Sequence, residues 1–130
     1  MARRMSRKER KAAFVTAAGK AYEELETWYD DHPEATYGEI EIEARQQRRK
    51  LMGRGMEILV NGRDTGQRAE GVRCTRCREE MEFKGYLAWT VRGLEGDAVL
   101  ERAYYVCPSC EGETIFPPGP EVESAGGSLE

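Results

Sequence analysis

Apolar side chains recur along the first part of the chain at steps of three and four. Phe14, Ala18, Ala21, Leu25 and Trp28 form one stripe, Ala17, Tyr22 and Tyr29 widen it, and Glu23, Glu24 and Glu26 fall outside it. That period predicts an α-helix over about residues 8–31. It should stop near Asp31, because Pro33 disfavours helical geometry at His32. A second helix opens on Thr36-Tyr37-Gly38-Glu39, a capping-box match in which the threonine hydroxyl and the glutamate carboxylate satisfy reciprocal backbone donors. Glu39, Glu41 and Glu43 add negative charge at its positive end. Ile40, Ala44, Gln47, Leu51 and Ile58 then share a stripe, with Met52, Met56 and Leu59 on its shoulder. Two such helices joined by a short loop should form an antiparallel hairpin. Gly53 and Gly55 weaken the later turns by about 1 kcal/mol each relative to alanine, which suits a place of close packing. Asn61-Gly62 is the expected C-cap.

The pattern then changes. Residues 62–72 are polar and punctuated by glycine, without periodicity, and read as a linker. Strand character follows in Met81–Tyr86, Leu87–Arg92 and Ala98–Val106, where aromatic and β-branched residues suit a pleated, partly buried surface. Gly93 to Asp97 supplies a turn, so the last two segments form a hairpin. From 118 to 130 the chain is Pro, Gly, Glu and Ser with little apolar content, the composition of a disordered acidic tail.

This hairpin joins the only four cysteines, arranged as Cys74-Thr75-Arg76-Cys77 and Cys107-Pro108-Ser109-Cys110. Two residues between paired cysteines let both thiolates of a tight turn face one ion, and the second pair closes a tetrahedron from across the hairpin. One structural Zn2+ is the expected occupant. Four protein ligands leave no coordination position for water or substrate, so the metal would support folding rather than catalysis. Three rival readings stand beside it. A redox dithiol calls for a single pair on a helix N-terminus in a βαβ setting. A disulfide framework suits a small secreted domain, yet the basic N-terminus is not followed by an apolar signal-peptide segment. Rubredoxin-like iron normally has glycine after each knuckle, where this chain has Arg78 and Glu111. The pattern thus predicts an α+β chain: a basic arm and antiparallel helical hairpin over 1–61, a linker over 62–72, a small antiparallel β zinc ribbon over 73–117 and the tail beyond. A ribbon of roughly 45 residues is near the size at which metals or disulfides are needed, so zinc should dominate its stability.

Charge sharpens this picture. The 130 residues carry a net charge of -4 and are 34% charged. The mean hydropathy is -0.72. No apolar run approaches the roughly 18 residues of a membrane span, and a cytoplasmic location without membrane contact is expected. The charges are unevenly placed. Arg3, Arg4, Arg7, Lys8, Arg10 and Lys11 crowd the N-terminus, Arg45, Arg48, Arg49, Lys50 and Arg54 crowd the second helix, and no lysine or arginine follows Arg102. If the ribbon meets DNA, Arg73, Arg76, Arg78, Lys84 and Arg92 are its candidate phosphate contacts, with Trp89 as a stacking or packing residue. Glu79, Glu80, Glu82, Glu95, Asp97 and Glu101 interleave with them, so a solvated face is the competing reading. On the second helix, Arg45, Arg48, Arg49 and Lys50 should cover an exposed arc, where pairs such as Glu41 with Arg45 are the competing use. Trp28 and Tyr29 suit core packing, and His32, the only histidine, reads as a surface residue. Neither a phosphate-binding glycine loop nor a nucleophile with a base is present.

Two segments carry a family resemblance. The first runs from Leu25-Glu26-Thr27-Trp28-Tyr29 through His32-Pro33-Glu34-Ala35-Thr36 and Glu39-Ile40-Glu41 to Arg48-Arg49-Lys50-Leu51-Met52-Gly53. The second comprises the Cys74/Cys77 knuckle, Thr90-Val91-Arg92-Gly93-Leu94-Glu95-Gly96, Tyr104-Tyr105-Val106-Cys107-Pro108-Ser109-Cys110 and Phe116-Pro117. Over residues 15 to 118 the chain resembles the N-terminal region of ISKra-type insertion-sequence transposases. In that family an RNase H-like domain with metal-binding acids follows this region, and the sequence stops before any such domain. The resemblance therefore implies a non-catalytic DNA-binding or accessory fragment, with duplex DNA at transposon ends and full-length transposase or a second copy as its partners. An interaction module that uses the helical hairpin for self-association or partner docking is the alternative expectation.

Overall fold

The structure, a computed structural model, describes residues 4–110, 114–115 and 117. Helices α1 (Arg7–Asp31) and α2 (Tyr37–Asn61) precede strands β1 (Glu82–Gly93), β2 (Gly96–Val106) and β3 (Thr114–Ile115). The strands form one antiparallel sheet in the order β1-β2-β3. The chain is thus α+β, a helical hairpin followed by a small sheet. The expected acidic tail, 118–130, lies outside the described residues.

Both helices start the same way. Thr36 Oγ1 accepts from the Glu39 N–H at 3.2 Å while Glu39 Oε1 accepts from the Thr36 N–H at 2.9 Å. Ser6 and Glu9 repeat this arrangement at 3.1 and 2.9 Å, and two orphan donors are satisfied at each helix start. The first box begins α1 at Arg7, so the basic cluster from Arg7 onward is helical rather than an arm. At the far end of α2, the Gly62 cap has helical geometry, with φ -72°. It is not the left-handed cap that glycine usually supplies. Its carbonyl instead accepts the Met5 N–H at 2.6 Å, which ties the start of α1 to the end of α2.

The helices pack antiparallel, with Gln47 and Ile58 of α2 buried. The Phe14 ring occupies the space where a Cβ on Gly55 would lie. Lys50 Nζ pairs with Glu24 at 2.9 Å across the hairpin, and this contact holds the Glu24 carboxyl below its ordinary pKa. No residue of α1 is buried. Tyr29, expected in a core, is exposed, because α2 covers only one side of α1.

The expected segments Met81–Tyr86 and Leu87–Arg92 are one strand, β1, with a register irregularity between Phe83 and Gly85. Gly93 pairs with Gly96, which leaves Leu94 and Glu95 as the turn. The outer edge of β2 is where the two halves of the molecule join. Unpaired strand edges expose backbone donors and acceptors that must find partners when buried. Val99 donates its N–H to Glu57 Oε2 at 2.8 Å and accepts from Asn61 Nδ2 at 2.9 Å. The Glu101 N–H reaches Asn61 Oδ1 at 3.0 Å. Further along, the Ala103 N–H donates to the Thr65 carbonyl at 2.6 Å, and Tyr105 and Val106 pair with β3. Helix side chains, the 62–72 segment and a two-residue strand thus cover one edge in turn. Residues 62–72, expected as a linker, lie against the sheet, with Thr65 buried.

Two glycines let this junction close. A Cβ on Gly53 would fall on the Asp97 carbonyl oxygen, and one on Gly96 on the Arg49 carbonyl oxygen. Backbone therefore lies directly on backbone where α2 crosses the hairpin turn. Arg49 fastens the contact, donating to the Leu94 carbonyl at 2.6 Å and the Gly93 carbonyl at 3.3 Å, and pairing with Asp97 at 3.4 Å.

Candidate metal centre

Cys74, Met81, Ala103, Tyr105 and Cys107 form the buried core of the ribbon, with Val72, Tyr86, Cys110 and Ile115 packed around it. The first knuckle is a tight reversal between Val72 and Met81. The Met81 N–H donates to the Val72 carbonyl at 2.8 Å, Cys74 N–H to the Glu79 carbonyl at 2.9 Å, and Arg78 N–H to the Cys74 carbonyl at 3.0 Å. Arg78 closes the turn with φ +67°, a left-handed geometry that disfavours a residue with a Cβ by about 1–2 kcal/mol. This is the position where a rubredoxin-like knuckle normally has glycine, and the backbone here takes the left-handed conformation with arginine in place. The second knuckle begins where β2 ends, so the strand delivers Cys107 directly to the site.

Within each knuckle a backbone N–H points at the leading sulfur. Arg76 N lies 3.4 Å from Cys74 Sγ and Cys110 N lies 3.2 Å from Cys107 Sγ. Cys77 Sγ and Cys107 Sγ are 3.5 Å apart, and all four sulfurs lie within 4.8 Å of one another. Sulfurs bound at about 2.3 Å around a tetrahedral centre would stand about 3.8 Å apart. The four therefore fit one metal ion. A second contact joins the knuckles from outside, since Ser109 Oγ donates to Glu79 Oε1 at 2.6 Å.

Crowding of the thiols splits their acidities. Backbone N–H groups of Cys77 and Arg76 bring the Cys74 thiol down to about 7. The Glu79 N–H favours the Cys77 thiolate, but desolvation and the Cys107 sulfur prevail and raise its pKa. The Cys77 sulfur, with burial and the remaining thiols, pushes Cys110 up to about 12. One negative charge is thus stabilised locally and further ones repel it, a distribution that a bound dication would reverse by favouring thiolates throughout.

The basic candidates divide by their surroundings. Arg92 pairs with Asp97 at 3.5 Å and Lys84 with Glu82 at 3.1 Å. Arg73 donates to the Arg78 carbonyl at 3.1 Å. Arg76 and Arg78 are exposed around the first knuckle. On α2, Arg45, Arg48 and Lys50 are exposed, as expected, with Lys50 reaching Glu24 of α1, whereas half-buried Arg49 holds the ribbon turn. Trp89 is half-buried and its Nε1 is enclosed without a hydrogen-bond partner among the described residues, which makes it a packing residue. His32 is exposed, as expected, and stacks on Trp28 with ring centroids 4.5 Å apart.

Several structural residues escape the sequence patterns. Arg102 is 6% exposed and donates to the Asp64 carbonyl at 2.7 Å and the Pro117 carbonyl at 2.6 Å. It pins the 62–72 segment and the chain after β3 to the sheet. Burial lowers its pKa, and the charge of Asp64 opposes that shift. Burial also pushes the Asp64 carboxyl upward, but the Gly66 N–H and the Arg68 guanidinium hold it below its ordinary value. Tyr105 lies in the core and accepts the Arg68 N–H at its hydroxyl at 2.9 Å. An arginine inside an alternating strand was the available signal for Arg102, and Tyr105 belongs to the strand segment whose aromatic residues suit a partly buried surface; nothing local marks Ser109.

Among the described residues, no helix is long and apolar enough to cross a membrane. No protein-family model, curated protein or solved structure matches the chain.

Proposed function

We propose that this chain is a non-catalytic zinc-ribbon module serving as a DNA-binding or accessory fragment, of the kind implied by its resemblance to the N-terminal region of ISKra-type transposases. The convergence of four cysteine sulfurs within 4.8 Å supports the metal-module part of this reading. Zinc suits a closed four-sulfur site, and four thiolates complete its coordination sphere, so the ion serves as a staple for the knuckles. Cys74, Cys77, Cys107 and Cys110 would all be ligands. The Ser109–Glu79 hydrogen bond would orient the knuckles around them.

Arg92 and Lys84 are paired with acids, whereas Arg76 and Arg78 at the first knuckle and Arg45 and Arg48 on α2 are exposed. The two arginines of α2 give the DNA-binding reading a test that leaves the metal site untouched. Phosphate neutralisation by such side chains makes affinity fall steeply with salt. Titration of duplex DNA at several salt concentrations is the test. Binding at low salt is expected, and replacing Arg45 and Arg48 with alanine should flatten the log–log salt slope by about 2, roughly one for each phosphate that is no longer neutralised. Undetectable binding at low salt would end the DNA-binding reading and leave the zinc module in place.

A further inference from the structure

Helix α1 has an apolar edge that its own hairpin leaves uncovered. Val15, Tyr22 and Tyr29 are 59, 62 and 45% exposed, and they recur every seven residues with half-buried Ala18 and Leu25 between them. Residues seven apart lie on one face of a helix, so the three form a single exposed apolar line. Lys11 lies on the same face by its spacing and lines a shallow groove with Phe14, Met52 and Leu59, so the apolar surface continues onto α2. Over 25 residues, α1 offers a seam about 37 Å long.

The charges on this helix select the occupant. Arg7, Lys8, Arg10 and Lys11 occupy its first turns, and Glu23, Glu24, Glu26, Asp30 and Asp31 its last ones. This order opposes the helix dipole, which favours acids at the N-terminus and bases at the C-terminus. A parallel copy would set like charges together. An antiparallel copy brings each basic end against an acidic one. We propose that this stripe docks a second copy of the chain, α1 against α1, in an antiparallel register with the Ala18–Gly19 pair at the two-fold axis. Val15 then opposes Tyr22 of the second copy, and Lys11 opposes its Glu26. Gly19 has open space around it, so it admits a close approach at the axis. The interface is isologous and closes on itself as a dimer. It does not depend on the DNA-binding reading.

Sedimentation equilibrium on the full chain tests the proposal. A concentration-dependent monomer–dimer equilibrium is expected, with Tyr22→Glu weakening it by at least about tenfold. Lys11→Glu and Glu26→Lys should each weaken association, and the double variant should restore it, because the exchanged charges again face each other across the axis. A chain that stays monomeric at every concentration overturns the proposal, as does a dimer indifferent to Tyr22→Glu. A double variant as weak as the single ones overturns the antiparallel register.

Discussion

Helices α1 and α2 have equal lengths, equivalent capping boxes and comparable apolar stripes, yet their surroundings differ completely. On one side α2 meets α1, and on another it meets the edge of β2, where Glu57 and Asn61 replace a missing strand and Gly53 touches backbone. By contrast, among the described residues α1 packs mainly on α2 and buries none of its residues. Equal periodicity therefore does not mean equal burial. A helical stripe reports that one face is apolar, while the number of covered faces depends on what else the chain brings alongside.

On the proposed zinc reading, loss of the metal should separate these regions most sharply. Cys77→Ala removes one of four ligands and should abolish stoichiometric zinc measured by elemental analysis. Apparent zinc binding free energies of about 10–16 kcal/mol match or exceed the stability of a small domain, so the ribbon should unfold. The two tryptophans report separately, Trp89 from β1 and Trp28 from α1. Trp89 emission should shift to the red while far-ultraviolet circular dichroism keeps a helical signal. A folded metal-free wild type would refute the staple role. Collapse of the helices together with the ribbon would show that α2 relies on the β2 edge more than on α1.

Gly53→Ala probes the α2 side without touching the metal. The added methyl would fall on the Asp97 carbonyl oxygen, which belongs to backbone and cannot rotate away. Overpacking of this kind costs about 1–3 kcal/mol, against about 1 kcal/mol that alanine gains over glycine in a helix. Net destabilisation of up to about 2 kcal/mol is expected from urea midpoints. A stabilised variant would mean that the helix and the ribbon do not meet as closely as the backbone contact requires.

The same contrast explains which features were legible in the sequence. Both helices, the hairpin and all four cysteines follow from short-range rules: a 3.6 period, a capping box, two C-x-x-C turns. The Ser6-x-x-Glu9 box was equally readable and shows why the basic residues from Arg7 onward are helical. The junction was not legible, because its interactions join residues about 40 positions apart, such as Asn61 with Val99 and Glu101. Residues 62–72 lack periodicity since several of their contacts run through backbone groups: Thr65 serves β2 with its carbonyl, and Gly66 lies against the Arg102 guanidinium. Composition alone made this stretch look like a linker. Arg49 illustrates the same limit, since a basic residue on a polar arc gives no local sign that it will hold a distant turn.

The smallest expected effect is the most direct control on the comparison. Gly19 lies inside α1 as Gly53 lies inside α2, but no atom beyond its local backbone stands within 4 Å of where its Cβ would project. Gly19→Ala should therefore gain what Gly53→Ala cannot keep, about 1 kcal/mol of helix propensity with no steric penalty. Urea denaturation at concentrations low enough to keep the chain monomeric should show a higher midpoint. Opposite signs for the two glycine-to-alanine changes would establish that α2 is held on two sides and α1 on one; equal signs would remove that distinction. Raising the protein concentration adds a second reading, because a methyl at the proposed two-fold axis would crowd an approaching copy. The gain should shrink as dimers form, and a gain independent of concentration would move the axis away from Gly19.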